Sequence, residues 1–382
     1  VRKNKVLPFE TKSDGTLIQV VLGERGESWI TRDMVGVRIW KGLENLNLKP
    51  GRNKLMIIGE TDSGKSTLTS YLVNIALVRN LRTAVIDGDI GQGDLIPPGC
   101  IGAAVVKERV YDLRDLHADI MGFVGFTSPF SRYVRDLIVK RMKRIISYLE
   151  ERGYDLCIIN TDGYVSGEGM GYKLDMVREL KPDTVICFRG PDEELFENLK
   201  DFDNPPSMIS VDRSEGIVKS ASERNERRLS QYFRFLRDGK DMSVDLKKIR
   251  LDFMGIVYEH NLSDVELRES GLSSPDMEHN PSNLFAKGAD DRVIVFRSNI
   301  EDVVEVSGRF TTFNRSSLEG MFAGLGSGGD VSGFARIIGL NQDQTLTLNT
   351  NFKGKFDTLF LGGIRLSPDL GTEDILQVVR RG

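Results

Sequence analysis

The sequence predicts an α/β fold in which a central P-loop domain on a parallel sheet is flanked by a small N-terminal β domain and a C-terminal all-β domain. Three observations predict it. Gly59 to Ser66 read G-E-T-D-S-G-K-S, which matches the phosphate-binding pattern G-x-x-x-x-G-K-[ST] at every fixed position, with an apolar run before it and a helical pattern behind. Apolar strand candidates then alternate with helical patterns as far as Val211, the grammar of a sheet covered by helices. Beyond about Ser243 the helical patterns stop and β-type segments follow one another.

Taken in chain order, short alternating runs at Leu17 to Leu22 and Val35 to Trp40 predict the N-terminal β module, residues 1–48. Pro50-Gly51 punctuates the chain ahead of the central domain, residues 49–243. Leu55 to Ile58 predicts a buried strand, and Leu68, Leu72, Ile75 and Ala76 recur at helical spacing after the loop. Further strands are expected at Thr83 to Ile86, Ile120 to Phe126, Leu156 to Ile159, Val185 to Phe188 and Met208 to Val211. Arg132 to Leu149 predicts an amphipathic helix that buries Val134, Leu137, Ile138, Met142, Ile145 and Leu149 and leaves Arg135, Lys140, Arg141, Lys143 and Arg144 in water. After a polar stretch containing Asn261, Ser263, Ser273, Ser274 and Pro275, strands are expected at Val293 to Phe296, Val303 to Val306, Gly333 to Ile338, Thr345 to Asn349 and Thr358 to Leu361, within a terminal domain of residues 244–382. No internal repeat or low-complexity tract interrupts this order.

The bulk numbers set bounds on function. With 382 residues, two or three domains are expected. A composition of 40% hydrophobic and 28% charged residues is that of a globular protein, and no apolar run approaches the roughly 20 residues that span a bilayer. The first residues, VRKNKVLPFE, lack the apolar stretch of a signal peptide, so a cytoplasmic location is expected, or a nuclear one in a eukaryote. A net charge of -4 does not point to nucleic acid, and a local basic groove would still suffice for it. Cys100, Cys157 and Cys187 are scattered and read as buried thiols; His117, His260 and His279 are isolated, so neither a zinc site nor a thiol protease is indicated.

The loop carries its own chemistry. Gly59 and Gly64 let the backbone turn and bring N–H groups close to a polyphosphate at the positive end of the following helix. Lys65 can reach the outer phosphates as a point charge, and the Ser66 hydroxyl suits Mg²⁺, which prefers hard oxygen ligands shared with nucleotide phosphates. Gly59, Glu60, Thr61, Asp62, Ser63, Gly64, Lys65, Ser66 and Thr67 are therefore the residues expected to bind a nucleoside triphosphate.

Two carboxylate sets compete for the next role. Asp87 and Asp89 follow the strand that ends Val85-Ile86, where they would line the crevice of a doubly wound sheet. Asp162, after Leu156 to Ile159, equally resembles the acidic end of a metal-binding strand. Spacing alone leaves the choice open.

Four segments, GETDSGKST, DGDIGQGDLIPPG, NTDGYVSGEG and SERNERRLSQYF, occur in the order found in the polynucleotide 5′-hydroxyl kinase family. The chain resembles that family in its compact archaeal form from about Leu55 to Phe235. GFARIIGL and LFLGGIRL extend the likeness more weakly into the terminal β region. The family also includes RNA 5′-kinases of tRNA and rRNA processing and a subunit of the mRNA 3′-end cleavage factor. The resemblance implies a P-loop kinase domain between two β domains and transfer of the γ-phosphate of ATP to the 5′-hydroxyl of RNA, or in some members DNA.

By motif, the resemblance makes Lys65 the phosphate lysine, Ser66 an Mg²⁺ ligand, Asp89 the general base and Asp87 a holder of metal-bound water. It assigns Gln92, Thr127, Ser128, Thr161, Gly163 and Tyr164 to the nucleic-acid side. Tyr164 stands where the family's clasp T-x-G-W has Trp, so altered end specificity is expected more than lost activity. Thr127-Ser128-Pro129 would serve equally as a helix start. The helix Ser222 to Phe235 matches an arginine-bearing lid, with Arg224 and Arg228 as its catalytic arginines and Arg227 as the alternative register.

The implied ligands are ATP, with GTP as an alternative, Mg²⁺, and RNA or DNA 5′ ends; no membrane partner is expected, and no protein partner is indicated. The rival readings are a non-catalytic ATP-binding scaffold of an RNA-processing complex and a small-metabolite kinase. The guanine-reading motif N-K-x-D and the ABC-transporter signature are absent from the sequence.

Overall fold

The computed structural model describes residues 42–43, 46–189, 193–212, 219–263, 266, 285–298 and 300–381. The expected strands at Leu17 to Leu22 and Val35 to Trp40, and Ser273, Ser274 and Pro275, lie outside the described residues. In chain order the elements begin with β1 (Asn53–Ile58), α1 (Lys65–Val78), β2 (Thr83–Gly88), β3 (Cys100–Val106), β4 (Ile120–Phe123), α2 (Arg132–Arg152), β5 (Leu156–Thr161), α3 (Glu168–Leu180), β6 (Thr184–Phe188), α4 (Glu193–Lys200), β7 (Ser207–Val211) and α5 (Ala221–Leu236). Beyond α5 come strands: β8 (Lys240–Asp245), β9 (Arg250–Phe253), β10 (Ile256–Tyr258), β11 (His260–Asn261), β12 (Phe285–Ala289), β13 (Arg292–Arg297), β14 (Val304–Ser307) and β15 (Phe310–Asn314). The series ends with β16 (Phe322–Ser327), β17 (Asp330–Leu340), β18 (Thr345–Thr350), β19 (Thr358–Leu361), β20 (Ile364–Leu366), β21 (Glu373–Ile375) and β22 (Val378–Arg381).

The described residues form two compact, interleaved units: one holds those up to Val85, Val105–Leu116 and Gly153–Lys219, and the other holds the rest. The first unit is a parallel sheet in the order β5-β1-β6-β7, with Leu55 facing Ile158 on one side and Thr184 on the other. Parallel strands need covered faces, which explains why β1 and β5 read as near-continuous apolar runs. Leu55 and Ile57 of β1, Ile158 of β5 and Ile186 of β6 pack with Leu68, Leu72, Val73 and Ala76 of α1 in one buried cluster. Full burial of each leucine, isoleucine and valine among them contributes about 1.5–3 kcal/mol.

The second unit is mainly antiparallel. Neighbours run β10-β9-β19-β16-β17-β4-β3, with β18 and β8 added beside β17. A six-stranded sheet, β11-β12-β13-β15-β14-β22, completes it. The helix α2 packs on β4 and buries Val134, Leu137, Ile138, Met142, Ile145 and Leu149. Among the described residues no helix is long and apolar enough to cross a membrane.

Two expectations need correction. The strand at Ile120 to Phe126 ends at Phe123 and is not part of the parallel set: it runs antiparallel to β3 and to β17. A parallel neighbour requires a crossover, usually a helix, whereas the connection from β3 to β4 contains only the single 3₁₀ turn Leu113–Asp115. Arg141, expected in water, is buried. Its Nη2 donates to Asp252 Oδ2 at 2.8 Å, Nη1 to the Gly329 carbonyl at 3.1 Å and Nε to the Phe123 carbonyl at 3.3 Å. The spacing accounts for this, because Arg141 follows Val134 and Leu137/Ile138 on the same three-to-four-residue stripe.

A second buried cation, Lys287 on β12, has its Nζ 3.4 Å from the Glu259 carbonyl. Burial holds its pKa down to about 8, against the opposing charges of Asp245 and Glu259.

Two predictions follow from these charges. Arg141→Met leaves Asp252 buried without its cation and should cost about 3–5 kcal/mol of unfolding free energy, read by chemical denaturation. For Lys287 the folded state favours the neutral amine and the unfolded chain the charged one, so its penalty is complete below about pH 8 and fades as pH rises toward the ordinary lysine value. Lys287→Met should therefore be more stable than the parent at neutral pH, and the gap in Tm should shrink between about pH 8 and pH 10.

Candidate active site

In the first unit β1 delivers the phosphate loop to the start of α1. Gly64 closes the loop with φ 98° and Asp62 sits at φ 61°, a left-handed conformation that Asp tolerates. A Cβ at Gly59 would lie 2.6 Å from Phe188 Cδ2 and 2.8 Å from Ser63 Oγ, so glycine is required by space. Lys65 is buried, and its ammonium bends back to the carbonyls of Gly59 and Glu60 at 2.8 and 2.7 Å. Ser63 is buried too, and its hydroxyl has no hydrogen-bond partner among the described residues. No side chain caps α1 and no acidic residue occupies its first turn, where Ser66 and Thr67 follow Lys65. A helix start with an adjacent buried cation and a donor-rich tight loop fits a polyphosphate.

The turn after β5 packs against this loop. A Cβ at Gly163 would stand 2.3 Å from Thr61 Oγ1 and 2.6 Å from the Thr61 nitrogen. Asp162 Oδ1 accepts from the Tyr164 N–H at 2.9 Å and pairs with Lys173 Nζ at 2.9 Å, while Oδ2 accepts from the Tyr172 hydroxyl at 3.1 Å. The carboxylate that competed with Asp89 is thus held by α3 and shapes the turn that presents half-buried Tyr164. Thr161, expected to touch nucleic acid, is fully buried and donates its hydroxyl to the Ile57 carbonyl at 2.9 Å, which puts it beneath the turn. Asp62 is anchored in turn by Lys219, whose Nζ donates to Oδ1 at 2.9 Å and whose backbone N–H donates to Oδ2 at 3.2 Å.

In the second unit the chain after β2 folds around its own carboxylates. Asp89 Oδ1 accepts from Gly91 N–H at 3.0 Å and Gln92 N–H at 2.8 Å, and remains partly exposed. Asp87 is fully buried, and its Oδ2 accepts from Asp94 N–H at 2.7 Å and Leu95 N–H at 3.0 Å. Burial pushes the Asp87 carboxyl up to about 6; the charges of Asp94 and, more weakly, Asp89 add to this against the two N–H donors. A nearby divalent cation would favour its anion, and carboxylate oxygens are the hard donors that Mg²⁺ takes. Among the described residues no cluster of three or more His, Cys, Asp or Glu could hold a metal alone, so such an ion would share phosphate oxygens and water. Thr127 packs beside this turn, since a Cβ at Gly91 would lie 2.8 Å from the Thr127 carbonyl oxygen, and Ser128 is the next residue along the chain.

The expected lid helix is α5. Its start is fixed by a capping box in which Ser220 Oγ accepts from Glu223 N–H at 3.1 Å and Glu223 Oε2 from Ser220 N–H at 2.8 Å. Arg227 pairs with Asp94, and Gln231 Nε2 donates to the Gly93 and Asp94 carbonyls at 3.0 and 2.9 Å. Arg228 is turned to Glu373 Oε2 at 2.6 Å, whose other oxygen accepts from Tyr232. Arg224, one turn nearer the cap, is half-buried.

Sequence reasoning missed Lys173, Lys219, Asp94 and Glu373. Lys173 alone left a signal, a cation on the apolar stripe Tyr172, Met176, Val177 and Leu180 of α3.

Residues 59–237 match the family model described as mRNA cleavage and polyadenylation factor CLP1 P-loop. A polyribonucleotide 5′-hydroxyl-kinase of Pyrococcus abyssi is 31% identical over 213 residues, 56% of this chain and 59% of that protein. The one from Methanocaldococcus jannaschii is 27% identical over 197 residues, 51% and 54% of the two chains. A CLP1 homolog of Brugia malayi is 33% identical over 178 residues, covering 44% of this chain and 40% of that protein. The chain spans about half the length of the curated relatives it matches. Among solved structures, wild-type Clp1p in complex with Pcf11p has the same fold at a TM-score of 0.55 and 12% identity, covering 85% of this chain and 76% of that one.

Gly163→Ala should push Thr61 out of place. Overpacking of about 1–3 kcal/mol, relieved only by distorting the loop, corresponds to a loss of ATP affinity between about fivefold and about 140-fold. Calorimetric titration with Mg-ATP checks this, with the Tm of the ligand-free protein as the control for folding.

Proposed function

With residues 59–237 carrying a P-loop domain of the CLP1 family, we propose that this chain is an ATP- and Mg²⁺-dependent kinase that phosphorylates the 5′-hydroxyl end of RNA. The reading is supported by the names of the archaeal relatives. The observation that carries it is the phosphate loop itself: buried Lys65 at the uncapped start of α1, with Gly163 set on Thr61.

In this mechanism the loop N–H groups and Lys65 hold the triphosphate and Ser66 offers its hydroxyl to the metal. Asp87 would help hold the ion through water. Mg²⁺, when bound, supplies neutralisation of the phosphate oxygens. Asp89 orients the 5′-hydroxyl and accepts its proton as the O–P bond forms and ADP leaves. Its attachment to two backbone N–H groups fixes the carboxylate, which suits a reaction ruled by positioning and electrostatics. Arg224 and Arg228 stabilise the transferring phosphoryl group, with Arg227 as the alternative, and Arg228 must exchange Glu373 for phosphate to do so. Gln92, Thr127, Ser128, Gly163 and Tyr164 receive the nucleic-acid end, and Thr161 supports the turn from below. DNA ends and GTP are the further substrates this reading admits, in a cytoplasmic setting, within the division 1–48, 49–243 and 244–382.

The test is phosphate transfer from Mg-ATP to matched 5′-hydroxyl RNA and DNA oligonucleotides. Lys65→Ala should lower turnover by about a hundredfold or more, and Asp89→Asn by about a hundred- to ten-thousandfold while ATP still binds. ATP binding by the unmodified protein without transfer to any end would favour the scaffold reading instead.

A further inference from the structure

Part of the second unit lies outside the chemistry assigned above and carries the features of a nucleic-acid surface. The segment that follows β4 leaves Thr127, packed on the turn that carries Asp89 and Gly91, and reaches the start of α2 within a few residues. Phe130 lies on that path and Tyr133 on the first turn of α2, each with about half its surface in water, 50% and 49%. Among the described residues Tyr111 and Phe233 are the other rings this exposed, and most large apolar side chains are buried. Phe130 is held edge-on by buried Phe126 at 5.2 Å, which fixes the ring without covering it. Tyr133 is covered on one side by Arg380 of β22, whose guanidinium carbon is 3.5 Å from the ring centroid.

The charge around these rings is positive. Arg380, Arg292 and Arg132 are all exposed. The hydrogen bond and charge of Arg380, with the charges of Arg292 and Arg132, hold the Tyr133 phenol below its ordinary value. The acidic neighbour Asp136 pairs with Arg132 at 3.8 Å, across two well-exposed side chains. An ion pair of that kind contributes little and exchanges readily. Exposed aromatic faces among arginines are what a single strand uses: bases stack on the rings and phosphates meet the guanidinium groups, with little dependence on sequence.

We propose that Phe130, Tyr133 and Arg380 form a platform for the nucleotides that follow the 5′-terminal one, so that the chain grips single-stranded nucleic acid beyond the end it phosphorylates. The inference rests on the kinase reading for its direction, since Thr127 ties the platform to the Asp89 turn. Its binding test needs no chemistry.

Binding of a fluorescent single-stranded 5′-hydroxyl RNA is followed by anisotropy without ATP over a range of salt, and transfer is measured on the same RNA and on a dinucleotide. Tyr133→Ala should weaken binding about tenfold, as loss of one stacking partner does, and should reduce the preference for the long substrate over the dinucleotide by a similar factor. Tyr133→Phe keeps the ring and should restore both. Arg380→Ala should flatten the log–log salt slope by about 0.7. If both alanine variants bind and discriminate by length as the parent does, the platform is wrong even though transfer proceeds. Weakened binding in the variants with no transfer by the parent would leave the platform standing and remove the kinase. A parent that binds no single strand would overturn the platform outright.

Discussion

Side chains have no room at the phosphate loop, and much of the first unit is arranged around that shortage. Gly59 is pressed between Phe188 and Ser63, Asp62 and Gly64 take left-handed conformations, and Gly163 touches the Thr61 backbone. Each constraint removes volume or bends the chain so that N–H groups and Lys65 converge on one place. The cost of holding such a loop is met by the parallel sheet beneath it, whose strands β1, β5 and β6 are buried along nearly their whole length.

The loop is also braced from outside by two ion pairs. Lys219 holds Asp62, and Lys173 with Tyr172 holds Asp162, so two acidic residues beside a site for anions are each matched to a cation. An unmatched carboxylate there would oppose the phosphates it borders. In the second unit the logic is different. Asp87 is buried near Asp94 and is pushed toward its protonated form, while Asp94 is matched by Arg227 of α5. Helix, turn and buried carboxylate therefore form one electrostatic unit, and the register of the arginines on α5 decides which of them hold structure. Arg227 and Arg228 both face carboxylates.

How much of this was legible in the sequence depended on how local the cause was. The loop, the strands β1, β5, β6 and β7, and the helices α1, α2 and α5 were readable because spacing, apolar runs and loop glycines act over a few neighbours. The strand β3 was not recognised, and with it went the direction of β4, since pairing direction is set by distant partners such as Val331. Arg141 looked solvated because its charge outweighed its position on the buried stripe, and its partner Asp252 lies 111 residues away. At the site, the roles expected of Asp87 and Asp89 rest on motif order and resemblance, whereas the anchoring of Asp162 by Lys173 depends on α3 turning one particular face inward.

The central claim is that the loop serves phosphoryl transfer to a nucleic-acid end, and it is tested most directly by locating the phosphate after reaction. The unmodified protein would be incubated with γ-labelled Mg-ATP and a 5′-hydroxyl RNA, the RNA digested to nucleotides, and the label assigned by position. The account predicts label on the 5′-terminal nucleotide alone. Label only in inorganic phosphate, or retained in bound ATP, would contradict it.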